Sequence, residues 1–92
     1  MNLEQEERRG EEARQLLAHP LLVEAFAVIE SRIVDQLSQA DTAGERRARL
    51  NDLLIANRKV RQYLEQVIST GTMAAMEREN IAKRAVRAFR AA

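Results

Sequence analysis

The chain has 92 residues and a net charge of +1, and 46% of its residues are hydrophobic although only 3% are aromatic. This length fits one small domain, which we expect to span residues 1–92, and small domains bury too little surface to be very stable alone. The lack of cysteine excludes a disulfide framework and a thiolate metal site. No apolar run approaches the roughly 18 residues of a membrane span, and the acidic N-terminus is not typical of a signal peptide, so we expect a cytoplasmic protein.

Strong helix formers dominate the composition and predict an all-α fold. The expected N-terminal helix covers residues 1–19. His19-Pro20 then predicts a break, because proline disfavours the α conformation in the preceding residue and suits the first turn of a new helix. The only histidine therefore reads as a capping or surface residue. A second helix is expected over residues 20–40, with one apolar stripe facing the third helix: Leu22, Phe26, Ile29, Ile33 and Leu37.

The second break lies in a short polar stretch before the third helix. Thr42 and Glu45 match a capping box, in which each side chain accepts a hydrogen bond from the other residue's backbone N–H. The third helix is expected over residues 43–70, and Gly71 is placed to end it with a positive φ. A separate, basic C-terminal helix is then expected over residues 72–92.

The third helix carries a heptad seam, a set of residues spaced 3-4-3-4-3 that keeps one stripe of a helix against a partner. A loop of about five residues between two long helices favours antiparallel packing. The sequence therefore predicts an antiparallel, coiled-coil-like helical hairpin with flanking N- and C-terminal helices. The polar member of the seam, Asn57, is expected to be buried and to fix the register of the helix pair. The seam residues, also expected at the interface, are Leu50, Leu53, Asn57, Val60, Leu64 and Val67.

The C-terminal segment carries a second apolar stripe, which is too apolar to face water and too short to be a firm isolated helix. We expect it to dock on a neighbouring copy or on a larger protein partner. The alternative is that it folds back on its own hairpin. The residues of this docking segment are Met73, Met76, Ile81, Val86 and Phe89.

Basic residues cluster on the third helix and in the tail, and cations at helical spacing can follow a phosphate backbone. Cations are also favoured near a helix C-terminus by the helix dipole, which explains part of the tail without a ligand. No catalytic, cofactor-binding or metal-ligating pattern accompanies them, so we expect no enzyme, small-molecule substrate or membrane partner. The candidate nucleic-acid contacts are Arg47, Arg58, Arg61, Lys83, Arg84, Arg87 and Arg90.

Two motifs carry a resemblance to a known group of proteins. The first is LLxHPLLxEAF, from Leu16 to Phe26, and the second is KVRxYLxxVIxxG, from Lys59 to Gly71. Together they resemble short all-helical proteins of tailed bacteriophages and prophages, from head-assembly or DNA-packaging gene modules. The resemblance implies a structural or virion-assembly protein in the bacterial host or the virion. The alternative is a nucleic-acid-binding accessory of DNA packaging, similar to a small packaging subunit.

Overall fold

The chain is all-helical in the computed structural model, which describes residues 1–39 and 41–91. Three helices follow one another, α1 (Leu3–Ala18), α2 (Pro20–Leu37) and α3 (Gly44–Ala91), and the described residues contain no strand. The all-α prediction is confirmed. The helices form two units: a terminal unit of Met1–Gln15 with Glu65–Ala92, and a middle unit of Leu16–Leu64. The single-domain interpretation stays a prediction.

Helix α1 begins with a capping box that sequence reasoning missed. The backbone N of Gln5 donates to Asn2 Oδ1 over 2.8 Å, and the backbone N of Asn2 donates to Gln5 Oε1 over 3.1 Å. These reciprocal bonds satisfy N–H groups that a helix start leaves without partners. Glu4 and Glu6 in the first turn also suit the positive end of the helix dipole.

The predicted break between α1 and α2 is confirmed at His19-Pro20. His19 has the extended backbone expected before a proline (φ −70°, ψ 122°), and its Nδ1 accepts a hydrogen bond from the backbone N of Leu21 over 3.2 Å. The capping interpretation of this histidine is therefore confirmed. Helix α2 ends at Leu37, earlier than expected, and Ala40, where the predicted helix ended, lies outside the described residues.

The loop into α3 corrects the predicted capping box. Thr42 is buried and its hydroxyl donates to the carbonyl oxygen of Gln36 over 2.6 Å. Helix α3 begins at Gly44, so Thr42 lies outside the N-cap position that pairing with Glu45 would require. Gly44 has a φ of 59°, a left-handed conformation that glycine adopts readily.

The predicted end of the third helix at Gly71 is wrong. Helix α3 runs through Gly71 without interruption, so the separate helices expected over residues 43–70 and 72–92 are one element of 48 residues. Gly44 alone among the described glycines has positive φ. The missing side chain of Gly71 serves instead to let the backbone of α1 approach closely. Ala92, at the end of the predicted tail helix, is outside the described residues.

Burial in the middle unit corrects the predicted seam. Ile33 and Leu50 are buried, but Ile29, Leu53 and Val60 are 46%, 57% and 54% exposed. The expectation that these three residues are buried between the second and third helices is wrong. Four other seam or stripe residues and one neighbour are half-buried: Leu22, Phe26, Leu37, Leu54 and Leu64.

The error arises at one ambiguous step in the pattern. Leu53 and Leu54 lie three and four residues after Leu50, and both spacings return to the same side of a helix. In the structure, Leu54 is half-buried whereas Leu53 is exposed. Apolar periodicity cannot separate two adjacent leucines, so the predicted seam includes Leu53, which lies about a third of a turn from the half-buried Leu54.

Candidate association surfaces

Helix α2 and the first part of α3 are joined by polar contacts inside the middle unit. Asn57 Nδ2 donates to the carbonyl oxygen of Phe26 over 3.4 Å, a long hydrogen bond, and Asn57 is half-buried rather than fully buried. Arg58 pairs with Glu30 through two nitrogens at 2.7 and 2.8 Å. Nearer the loop, Arg47 Nη1 donates to the carbonyl oxygen of Leu37 over 3.1 Å.

Two exposed seam residues and the nearby Tyr63 lie along one side of α3 in the middle unit. Leu53, Val60 and Tyr63 are each more than half exposed, and their spacing of seven and three keeps them on one side of the helix. We call these three residues the α3 stripe. Single exposed apolar residues are ordinary on a protein surface, whereas a contiguous set indicates a site of association. Further exposed apolar residues lie on α2: Leu21, Val23, Val28, Ile29 and Val34.

Helix α1 crosses α3 inside the terminal unit at two glycines. A Cβ atom built on Gly71 would lie 2.8 Å from the Cα of Gly10 and 2.9 Å from the carbonyl oxygen of Glu6. Gly10, Gly71 and the adjacent Ala13 and Ala74 are all buried. The two backbones therefore pack directly on each other, and not even a methyl group fits at Gly10 or Gly71 unless the helices move apart.

Arg78 ties the start of α1 to α3 beyond this crossing. Its Nη1 donates a short hydrogen bond to Glu7 Oε2, and its Nη2 lies 3.8 Å from Glu4 Oε1. The hydrogen bond to Glu7, together with the charges of Glu7 and Glu4, raises the pKa of the Arg78 guanidinium. The guanidinium fork suits such a two-carboxylate site because it offers several donors in one plane. Sequence reasoning missed this contact.

The five apolar residues of the predicted docking segment are all exposed. Met73, Met76, Ile81 and Val86 are about half or more exposed, and Phe89 is 86% exposed. Every described residue from 79 to 91 is classed as exposed, so this part of α3 has no neighbouring element over it. The alternative that the whole segment folds back on its own chain is therefore wrong for residues 79–91.

The candidate nucleic-acid contacts divide into two groups. Arg47 and Arg58 are engaged with α2, and Arg61 is not free either. In the tail, Lys83 pairs with Glu79 over 3.1 Å. The three remaining cations are exposed and make no ion pair with any described residue: Arg84, Arg87 and Arg90.

The interface residues predicted from the seam lie in both units. Leu50, Leu53, Asn57, Val60 and Leu64 belong to the middle unit, whereas Val67 is half-buried in the terminal unit. Their role in contacts with another chain stays a prediction.

No group of three or more His, Cys, Asp or Glu residues among the described positions is arranged to hold a metal ion. Within those same positions, no helix is both long and apolar enough to cross a membrane. Comparison with known proteins finds no matching family model, no matching curated protein and no matching solved structure.

Proposed function

We propose that this chain is a non-enzymatic structural or assembly protein that acts through helix-mediated association, with a second copy of itself as the first partner and docking to a larger protein as a further step. The observation that carries the proposal is the α3 stripe. Burying a half-exposed leucine or valine contributes on the order of 1 kcal/mol each. Leu53, Val60 and Tyr63, taken from two chains, offer exposed apolar side chains of this kind on one side of the helix.

The proposal includes a finer architecture for the middle unit, an antiparallel helical hairpin with coiled-coil-like packing. The order of its contacts supports this arrangement. Phe26 and Glu30 meet Asn57 and Arg58, whereas Leu37, later in α2, meets the earlier residue Arg47. In an antiparallel pair, residues later in one helix contact residues earlier in the other, as these contacts do.

A phage origin is the proposed setting for this role. It is supported by the resemblance of Leu16–Phe26 and Lys59–Gly71 to helical proteins of head-assembly and packaging modules. An assembly protein in that setting must present surfaces that stay open in the single chain, which agrees with the exposed apolar residues on α2 and α3.

The mass of the chain in solution tests the proposal. We expect sedimentation equilibrium to give a mass above the 10.5 kDa of one chain, and Val60→Glu to lower that mass by removing the contact through the α3 stripe. The matched control is Ile55→Glu, because Ile55 is 50% exposed, close to the 54% of Val60, but lies off the α3 stripe. A wild-type chain that stays monomeric at high concentration contradicts self-association. Equal effects of the two substitutions contradict the assignment to the stripe.

Nucleic-acid binding is the second candidate function, because Arg84, Arg87 and Arg90 are exposed without ion pairs to described residues. Three neutralised phosphates give a slope of roughly −3 in a plot of log affinity for duplex DNA against log salt concentration. Replacing the three arginines by glutamine should remove both the binding and the slope. Arg47→Gln is the control, since Arg47 is engaged with Leu37. Binding without salt dependence contradicts this function.

A further inference from the structure

The C-terminal part of α3 extends past the start of α1. Helix α1 begins at Leu3, and Glu4 and Glu7 meet Arg78, so α1 accompanies α3 only as far as about that residue. Residues 79–91 continue as a helix of 13 residues, all of them exposed. Most of the stability of a helix in a protein comes from packing of its apolar face against other elements, and this part of α3 has no such packing among the described residues. A partner that covers this segment, which we call the tail, would therefore stabilise it.

The tail continues the face of α3 that packs on α1. Gly71, Ala74 and Arg78 meet α1 in the terminal unit. Steps of three and four residues carry the same face onward to Ile81, Ala82, Ala85 and Phe89. The tail therefore continues the surface that α1 covers earlier in α3. It consists of small residues flanked by larger apolar ones, and no described helix packs against it.

The cations of the tail lie on the other side of the helix. Lys83 and Arg87 are offset by two residues from Ala85, which is about half a turn at 3.6 residues per turn. Pairing through the apolar face therefore leaves the positive charges pointing away from the partner. This arrangement avoids the repulsion that two basic segments would otherwise meet.

We propose that the tail pairs with the tail of a second copy in antiparallel orientation, with Ala85 facing Ala85 of the second copy across a twofold axis. Ile81 of each chain then lies beside Phe89 of the other. This pairing rests on the proposed function: it presupposes that the chain self-associates, and it specifies the residues through which two terminal units would meet. The small residue at the centre permits a close helix approach of the kind that Gly10 and Gly71 show within one chain.

Charge selects the antiparallel direction. Residues 79–91 contain Lys83, Arg84, Arg87 and Arg90 against Glu79, giving 4 − 1 = +3, whereas residues 1–15 contain five Glu against three Arg, giving 3 − 5 = −2. In the antiparallel pair, the basic end of each tail comes to the acidic start of α1 in the other chain. A parallel pair would bring the two basic ends together, which is unfavourable.

Two other occupants fit the tail less well. A lipid surface favours large apolar residues on the buried face, but two of the four residues on this face are alanines, Ala82 and Ala85. Nucleic acid would bind the opposite, basic face and leave the apolar face uncovered. A second copy is the occupant that uses the small residues, the apolar residues and the charge pattern together.

Disulfide cross-linking tests the pairing, because the chain has no cysteine of its own. Ala85→Cys should convert more than about half of the chains to a linked dimer on mild oxidation, since facing Cβ atoms about 4 Å apart suit a disulfide. Arg84→Cys is the matched control, one residue away on the basic side. Ile81→Cys and Phe89→Cys should each link poorly alone and efficiently when mixed. Far-UV circular dichroism confirms that the variants remain helical.

The results separate this pairing from the proposed function. Monomeric wild-type chains with no cross-linking overturn both. A wild-type mass above one chain, with Ala85→Cys linking no better than Arg84→Cys, overturns the pairing and leaves self-association standing. Efficient self-linking at both 81 and 89 shows a parallel pair and overturns the antiparallel one. Binding to phosphatidylglycerol vesicles that Phe89→Glu abolishes assigns the apolar face to a lipid surface and also overturns the pairing.

Discussion

Replacing Gly71 by alanine should release α1 from α3 even though it improves α3 as a helix. The new Cβ would lie 2.8 Å from Gly10 Cα and 2.9 Å from the Glu6 carbonyl oxygen, and neither backbone atom can rotate away. Ordinary carbon contacts lie at about 3.5–4.0 Å, so the crossing must open by about 1 Å. Overpacking of this kind costs about 1–3 kcal/mol.

The gain in helix propensity acts on a different equilibrium. Alanine favours a helix over glycine by about 1 kcal/mol, but it does so in α3 whether or not α1 is docked. The steric cost falls on docking alone. We therefore expect the population of chains with α1 released to rise about 5- to 150-fold, the equivalent of 1–3 kcal/mol, while the helicity of α3 is kept or increased.

Hydrogen exchange measured by mass spectrometry reports on this release. Amides of α1 within the terminal unit should lose protection by the factor given above, whereas those of α2 should not change. Gly44→Ala is the control, because an added Cβ would meet no other atom there and the substitution acts only through the strained φ of 59°. It should cost about 1–2 kcal/mol through backbone strain and leave α1 protection unchanged. Undiminished α1 protection in Gly71→Ala would refute the close crossing.

Two further predictions concern single side chains. Asn57→Leu should raise stability by about 1 kcal/mol, because it trades one long hydrogen bond to Phe26 for apolar burial; a melting temperature that falls contradicts this. Arg78→Ala should destabilise the terminal unit equally at about pH 7 and pH 10 in urea unfolding. The pKa of Arg78 is raised above its ordinary value, so the guanidinium keeps its charge and its contribution to stability at both pH values, and loses them only in still more alkaline solution. If the difference in unfolding free energy between the variant and the wild type vanishes by about pH 10, the ion pair of Arg78 is not what stabilises the terminal unit.

Local chemistry determined the features that sequence reasoning predicted well. Proline restricts its own backbone and that of the residue before it, so the break at His19-Pro20 follows from two adjacent residues. The helical class follows from composition and apolar spacing summed over the whole chain. These predictions depend on nothing distant in the sequence, and for that reason they are confirmed in the structure.

The features that were predicted wrongly depend on residues far apart in the chain. A glycine after an apolar run suits a helix end and a helix crossing equally well, and only the position of Gly10 against Gly71 decides between them. Leu53 and Leu54 differ in burial because of where α2 lies. A signal for the crossing was nevertheless present, since each of these two glycines is followed three residues later by an alanine, Ala13 and Ala74.

The two units differ in what stabilises them. The middle unit buries Ile33 and Leu50, whereas the buried positions of the terminal unit are Gly10, Ala13, Gly71 and Ala74. Glycine and alanine remove little apolar surface from water, at about 0.8 kcal/mol per buried methylene-sized group. The docking of α1 therefore depends strongly on the fit of the two backbones at the crossing. We therefore expect the contact between α1 and α3 to open at a lower free energy than the core of the middle unit, which the exchange rates of the α1 and α2 amides compare directly.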